Sequence, residues 1–548
     1  MDEQEKPSAD IAPDPGQAEE PANPPSATAA TQSGSHPLKF VPLLYFLQAL
    51  PVALVQDMSI LVFGSLGIDN AQVVFVSSLI ALPWSFKLLW GPIVELNSTK
   101  RRWILGTQLG IGVLIFLFAL ALSVPNSFGI GMGLLALIAV FSATCDIATD
   151  GFYLLSANRE NQKKFVGWQS AFYRIGRLFV NSAVVALAGL LATGRFTGAF
   201  PQNIAWLVAC VTLAAVYLIG FFVGGFALPQ PDADVPADVP AEEKRRNWGR
   251  LVAVLGLGVS LYFLVGSVFR LFGDVLSGAP PFAGFKLEPH PYVLFFYTWA
   301  NSVPGQQAEL INIVVALVGI ALFGGWARAT LRGTEMGRSL ATFFGQPMIA
   351  HLLGFMLFYR FGEAMLGRLV PAFLIDKESG LALSLDQVAV VNGLFGVVGI
   401  VLGGIAGGIF VARAGLRRAF WVLAAAMNVP NVLYIIAAIA KFGVPMMAGV
   451  MFLDQFGYGV GFAGYVIALQ AIAQRNPQYR TSHYAIGTGL GALIISLAGI
   501  LTSVFLSQMD FPAIFTVVLF FSIPSLATIF LLPKEILDDR SQVVEEFD

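Results

Sequence analysis

The sequence predicts an all-α polytopic membrane protein: two six-helix bundles, an inserted helix pair between them, and both termini on the cytoplasmic side. Three observations predict it. The 548-residue chain is 56% hydrophobic and 12% charged, with a mean hydropathy of +0.73, well above the roughly 45–50% apolar share of soluble domains. Apolar runs of about 20 residues, enough to cross about 30 Å of hydrocarbon, recur from Phe40 to Leu532. Lysines and arginines fall on alternate connections between those runs. Because backbone groups in lipid must be satisfied within their own segment, the runs are helices.

The first 37 residues are rich in proline, alanine and acid and hold no apolar stretch; they read as a disordered tail without a signal peptide. Apolar segments bounded by Gly, Pro or charge then fall at 40–66, 71–95, 103–124, 129–156, 164–193 and 204–227, forming an N-terminal bundle of residues 38–228. A flexible polar linker, 229–248, contains PQPDADVPADVPAEEKRR. The inserted segment, 249–342, carries helices at 249–272 and 306–327 around an outer loop with the interfacial stretch PYVLFFYTWANSVPG. Helices at 346–375, 386–412, 418–440, 445–474, 481–506 and 513–532 make a C-terminal bundle of residues 343–533, followed by a tail, 534–548. About fourteen spanning helices result. With the amino terminus inside, only Arg195, Arg270, Lys286, Lys377 and Lys441 fall in outer segments, so the positive-inside rule supports the count and the orientation together.

Several classes are disfavoured. A net charge of −2 carries no nucleic-acid signature, and Cys145 and Cys210 lie in predicted helices, so neither a disulfide framework nor a thiolate metal site follows. His36, His290, His351 and His483 are too dispersed to hold a metal. The runs GIGMG, GIAGG and GTGLG sit in apolar helices, where small residues permit close helix contact. No GxxxxGK[ST], HExxH or GxSxG occurs, which disfavours ATP-driven transport and familiar hydrolases. We therefore expect no enzyme activity and no cofactor.

The informative residues are the charges inside the helices: Asp57, Asp146, Asp150, Glu363 and Asp454 against Lys87, Arg174, Arg177, Arg360 and Arg368. Each costs about 2.5–3.5 kcal/mol if it faces lipid alone, so they pair or line a wet cavity. Depth along the helices places Lys87, Asp146, Asp150 and Arg174 near one level, and i,i+4 and i,i+3 spacings put Asp146 with Asp150 and Arg174 with Arg177 on shared faces. These four are expected to form one inward-facing cluster. In the second half, Arg360 and Glu363 share a face, with Asp454 and Gln455 at a compatible depth. Asp57, Lys87, Asp146, Asp150, Arg174, Glu363 and Asp454 are thus the candidate proton-coupling charges. The planar fork of Arg360 suits carboxylates and phosphates, with Arg174 and Arg177 as further anion contacts. Trp84, Trp90, Trp168, Tyr173, Tyr359, Tyr458 and Tyr465 offer faces on which a sugar or purine can stack.

The two halves echo each other. A basic turn follows the second helix of each (NSTKRR and RAGLRR), making Glu95, Arg101, Arg102, Arg413 and Arg417 candidate gating residues, and another polar turn opens the fifth (from Asn161 and Asn476). Six plus six with internal repetition is the layout of major facilitator transporters, whose substrate site lies near the midplane between the halves.

Four stretches carry a family resemblance. LPWSFKLLWGPIVE (Leu82 to Glu95) resembles the LPY-x-x-KFLW-x-P-x-x-D signature of the AmpG-like muropeptide permeases, a branch of the major facilitator superfamily that also includes acetyl-CoA transporters. CDIATDGFYL (Cys145 to Leu154) resembles the family's QDI-x-x-DAYR segment, and GWQSAFYRIGRL (Gly167 to Leu178) its GYR-x-G segment. FYRFGEAMLGRLVPAFLID (Phe358 to Asp376) is similar to its K-x-x-D-x-x-x-x-x-x-x-FL pattern. Departures are Glu95, Leu154, Tyr359-Arg360 and Glu363. The resemblance implies proton-coupled import of anhydromuropeptides, the peptidoglycan recycling products, across a bacterial inner membrane by a monomer, with Lys87, Asp146, Asp150 and Arg174 at motif positions. A CoA thioester or siderophore-like anion is the rival substrate, and a non-transporting receptor or membrane acyltransferase the rival class.

Overall fold

The computed structural model describes residues 37–87, 98–156, 159–194, 198–231 and 305–537, together with Val94 and isolated residues between 234 and 267. Among the described residues twelve helices are long and apolar enough to cross a membrane. In chain order the helices are α1 (Val41–Ser65), α2 (Asn70–Phe86), α3 (Lys100–Ala121), α4 (Ser127–Ser156), α5 (Ala171–Thr193), α6 (Gln202–Ala227) and α7 (Gly305–Leu331). After these come α8 (Glu335–Phe344), α9 (Ile349–Ile375), α10 (Leu385–Val411), α11 (Leu416–Ala440), α12 (Val444–Gln474), α13 (Arg480–Leu506) and α14 (Phe511–Leu531). The twelve exclude α2, which is too short as described, and the brief α8. The predicted N-terminal tail up to residue 36, the C-terminal tail beyond Leu537 and the outer loop lie outside the described residues, as does most of the predicted helix 249–272.

Helix starts follow local chemistry. Asp69 accepts the Gln72 N–H at 2.9 Å at the head of α2, Thr334 the Gly337 N–H at 3.0 Å at α8, and Asp510 the Ala513 N–H at 3.2 Å at α14. The linker is pinned at one point: the Asp234 carboxylate accepts the Lys100 and Arg101 N–H groups at 2.7 and 2.9 Å, at the N-terminus of α3. Arg101 donates to the carbonyls of Gly225 and Leu228, tying the same corner to the end of α6. An amphipathic α8, absent from the predicted elements, lies beneath the C-terminal bundle, where Thr342 is 3.0 Å from the buried His483.

α1–α6 and α9–α14 form two bundles; one apolar core runs through the first and on into the outer half of the second, and a separate core fills the inner half of the second. Within the second bundle α10 and α12 approach through glycine: a Cβ on Gly403 would collide with the Phe456 carbonyl, and Gly407 and Gly459 lie on the same seam. Between bundles, α2 packs along α13 and α5 meets α10. Each partner of the second pair carries a π-helical turn, Phe179–Val184 in α5 and Ala389–Phe395 in α10, and the two turns face each other. Such a turn adds a residue and frees a carbonyl; Ser182 Oγ donates to the Ala389 carbonyl at 3.4 Å.

On the orientation that the basic residues require, the α5–α10 contact lies in the outer half. There Gly189 touches the backbone of Leu385 and Asp386, and Asn70 Nδ2 donates to Asp376 Oδ2 at 3.1 Å. Asp376 sits just outside the spanning part of α9. Burial alone would raise its carboxyl, but the N–H groups of Ser379, Gly380 and Glu378 and the Ser379 hydroxyl donate to Oδ1 and hold it below the ordinary aspartate value of 3.8. A depressed carboxyl contributes above its unfolded value and loses that contribution only as pH falls through the lower folded value. The outer contact should therefore be constant from about pH 5 to 8. Distances between spin labels on the outer ends of α2 and α9 should not change over that range, whereas Asp376→Ala should lengthen them at every pH. Gly189→Val should hold the outer ends of α5 and α10 apart, read as new reactivity of a cysteine placed in the central cavity toward an impermeant reagent added outside.

Candidate functional site

A cavity of about 430 Å³ lies between the bundles, lined by α1 and α5 on one side and by α9, α10, α11 and α12 on the other. Four guanidinium groups border it, from Arg174, Arg177, Arg360 and Arg368, against three acids, Asp57, Glu363 and Asp454. Its volume falls within the range of small-molecule sites.

Local backbone irregularity positions the charges. A π-helical turn, Leu54–Met58, carries Asp57 in mid-α1. Asp57 Oδ2 accepts from Arg177, in an ion pair, and from Asn181 Nδ2 at 2.9 Å. α9 breaks at Tyr359–Arg360, where Arg360 leaves helical geometry (φ −107°, ψ 10°). The Tyr359 carbonyl is taken by the Ser525 hydroxyl, so the break leaves no orphan there. Arg360 then points into the cavity, donates to the Tyr458 hydroxyl, and lies 4.6 Å from the centre of the Phe462 ring and 5.3 Å from that of Tyr465. Arg174 Nη1 donates to the Ile400 carbonyl at 3.0 Å, across the gap between bundles, and Arg368 donates to the Gln56 carbonyl. Opposite them, Asp454 Oδ2 accepts from the Tyr434 hydroxyl at 2.8 Å and from Gln455 Nε2 at 2.9 Å, and the same Gln455 nitrogen lies 3.4 Å from Glu363 Oε1.

A second cluster stands apart from the cavity lining. Lys87 Nζ donates to Asp146 Oδ2 at 3.4 Å and lies 4.0 Å from Asp150 Oδ2, whose Oδ1 accepts from the Tyr45 hydroxyl at 3.4 Å. One ammonium thus serves two carboxylates on adjacent turns of α4.

The structure brings Asp57, Tyr173, Arg174, Arg177, Arg360, Glu363, Asp454 and Gln455 to the cavity, and joins Lys87 to Asp146 and Asp150. It departs from the sequence expectations elsewhere. Arg174 is not in the Lys87 cluster: it matches in depth, but α5 turns it across to the second bundle. Of the two readings open for Arg360, pairing with Glu363 or reaching for an anion, the geometry matches the second: the helix break sets Arg360 against Tyr458 at the cavity and no ion pair joins it to Glu363 among the described residues. Trp84 is buried in the apolar core and is not among the residues lining the cavity. Trp168 is 44% exposed and stacks on Phe172. Tyr359 is fully buried against Tyr465, its hydroxyl donating to the Gly461 carbonyl at 3.1 Å. Arg102, Arg413 and Arg417 are exposed at inner turns; Glu95 and Trp90 lie outside the described residues. Sequence reasoning missed the Asp57–Arg177 pair and the cavity roles of Arg368, Tyr434 and Asn181. The depth criterion that paired Lys87 also applied to Asp57 and Arg177, each near the middle of its helix.

No family model matches the chain. Over 154 residues it is 25% identical to the anhydromuropeptide permease of Escherichia coli K12, covering 28% of this chain and 30% of that protein. It is 20% identical over 194 residues to the Rickettsia felis transporter named AmpG 4, covering 35% and 45%, and 28% identical over 201 residues to an uncharacterised Haemophilus influenzae protein, covering 35% and 46%. The chain thus spans less than half the length of these relatives. Among solved structures, a POT family transporter in complex with 5-aminolevulinic acid superposes with a TM-score of 0.57 at 14% identity, over 89% of this chain and 94% of that one. The xylose transporter XylE from E. coli, in an inward-open conformation, gives 0.55 at 10% identity, over 90% and 94%.

The protein is a multi-pass integral membrane protein with the major facilitator fold. In sequence it resembles the AmpG-like permeases, as its motifs imply, and a bacterial inner membrane fits those relatives. The relatives and neighbours that are named for an activity are transporters, not enzymes.

Removing Arg177 would leave Asp57 without its counter-ion; the pair is partly buried, with 34% and 17% of its side chains exposed, so the cost is smaller than for a fully buried pair. Arg177→Met should lower the melting temperature in detergent, and the double variant Asp57→Asn, Arg177→Met should recover much of the loss; a double-mutant cycle measures the coupling.

Proposed function

We propose that the chain is a proton-coupled secondary transporter that imports anhydromuropeptides by alternating access, with the central cavity as its substrate site. The observation that carries this reading is the excess of guanidinium over carboxylate there, four against three: Arg177 is matched by Asp57, whereas among the described residues Arg174, Arg360 and Arg368 hydrogen-bond only carbonyls or a phenol. Such a site favours an anionic substrate, and the peptide carboxylates of a muropeptide meet that need. The aromatic walls at Tyr173, Tyr458 and Phe462 suit sugar rings. The outer contacts of α5 with α10 and of Asn70 with Asp376 support an inward-facing state, and exchange of those contacts for inner ones would reverse access.

In this reading the Lys87 cluster biases the two states. Lys87 draws α2 toward α4 through Asp146 and Asp150, and rearrangement of α2 has to break or remake those bonds. The unmatched arginines suit phosphates as well as carboxylates, so a CoA thioester is the second reading.

The test is uptake of labelled N-acetylglucosaminyl-anhydromuramyl peptide into proteoliposomes under an inward proton gradient, with acetyl-CoA in parallel. We expect accumulation of the muropeptide that a protonophore abolishes; uptake of acetyl-CoA alone would replace the substrate. Lys87→Met should abolish uptake while the protein stays folded and inserted, and normal uptake by that variant would remove Lys87 from the mechanism.

A further inference from the structure

We propose that the coupling proton is carried by the carboxyl pair Glu363–Asp454 in the C-terminal bundle, and not by the Lys87–Asp146–Asp150 cluster. The proposal rests on the proton-coupled reading above and names the site that reading leaves open.

The five intramembrane acids divide cleanly by partner. Asp57 is paired with Arg177, and Asp146 and Asp150 share Lys87. Among the described residues, Glu363 and Asp454 have no ion-pair partner, although both are almost wholly buried, at 6% and 1% exposure. What links them is one neutral amide: Gln455 Nε2 lies 2.9 Å from Asp454 Oδ2 and 3.4 Å from Glu363 Oε1. The remaining oxygens, Glu363 Oε2 and Asp454 Oδ1, have no hydrogen-bond partner among the described residues, and both residues border the cavity. A carboxylate held by a cation keeps its charge without a proton. Two carboxylates within the reach of a single amide, with no cation between them, repel each other and are relieved by one shared proton.

The surroundings favour loading and unloading. Arg360 and Arg368 flank Glu363 on α9, Tyr434 of α11 donates to Asp454, and Tyr458 lies one turn from Gln455 on α12. Across the cavity stand Arg174 and the Arg177–Asp57 pair. Arg360 grips Tyr458 one turn from the place where Glu363 meets Gln455, at the same spacing on both helices. The anion grip and the proton site are therefore adjacent rungs between α9 and α12. An anion drawn to Arg360 pulls on the rung beside the carboxyl pair, and a proton on the pair removes a negative charge that competes for Arg360. The cycle moves one proton: a carboxylate accepts it when the cavity opens outward, and the same group releases it when the cavity opens inward. No covalent bond to substrate forms.

Two measurements on the full-length protein in proteoliposomes test this. The first compares gradient-driven uptake with counterflow, using the labelled muropeptide as probe. Glu363→Gln and Asp454→Asn should each retain counterflow yet accumulate probe only to a ratio of about 1, the equilibrium of an uncoupled carrier. Asp146→Asn should remain gradient-responsive wherever it transports. Gradient-driven accumulation by Glu363→Gln above that ratio would overturn the assignment, whereas absence of proton drive in the unsubstituted protein would overturn the symport reading itself. The second needs no substrate: infrared difference spectra on a pH jump should show a carboxylic C=O band that disappears in both Glu363→Gln and Asp454→Asn and persists in Asp146→Asn. A band that survives in the first two, or is lost only in the third, would place the proton elsewhere even if a substituted carrier moves no probe.

Discussion

A polar group surrounded by hydrocarbon has to find its partner within the protein, and most of what is specific in this molecule follows from that constraint. Apolar helices pack in many ways at similar cost; charges and broken backbone do not. Asp57 fixes the relation of α1 to α5 through Arg177 and Asn181, and Lys87 fixes α2 against α4. Tyr434 and Gln455 gather the acids of α9 and α12, and Ser525 closes the gap left where α9 unwinds. Apart from Gln455 and Asp454, neighbours on α12, each partner sits on a different helix from the group it satisfies, so the polar contacts fix which helices are neighbours while the apolar surface supplies the attraction.

The same constraint explains what was legible in the sequence. Helix type and approximate position follow from length and hydropathy, and thirteen of the fourteen expected segments appear as described helices near their predicted positions. The Lys87–Asp146–Asp150 cluster was legible because depth along a straight helix can be counted in residues. Depth does not give the direction in which a side chain faces. Arg174 stands at the expected level but looks toward α10, on a helix that has a π-helical turn a few residues later. The Tyr359–Arg360 break is another such case: no proline marks it, only Gly362 two residues on, and it turned Arg360 toward Tyr458. Aromatics were the least legible, because Trp84, Trp168 and Tyr359 carry bulk and a polar tip without a directional requirement, and packing decided where they went. Arg368 was visible as an intramembrane charge but had no sequence neighbour to suggest Gln56 as its partner.

Within this division, the cavity draws its cations from both bundles but two of its three acids from the second. Arg174, Arg177 and Asp57 come from one side; Arg360, Arg368, Glu363 and Asp454 come from the other. A ligand held between them bridges two bodies, so its binding energy depends on how far apart the bodies stand. Ligand affinity and domain position are for that reason linked quantities.

The glycine seam between α10 and α12 has a mechanical meaning. With backbone lying directly on backbone at Gly403, Gly407 and Gly459, there is no layer of side chains to shear, and the two helices behave as a single stiff beam. Between the bundles backbone approaches backbone near Gly189 and Gly393, and the contacts around the cavity are a few hydroxyls, an amide and guanidinium groups reaching for carbonyls. Any large displacement is thus channelled away from the beam and onto those compliant joints. Because α12 carries Asp454, Gln455 and Tyr458 while α10 carries the Ile400 carbonyl that receives Arg174, the beam moves the polar wall of the cavity as one piece.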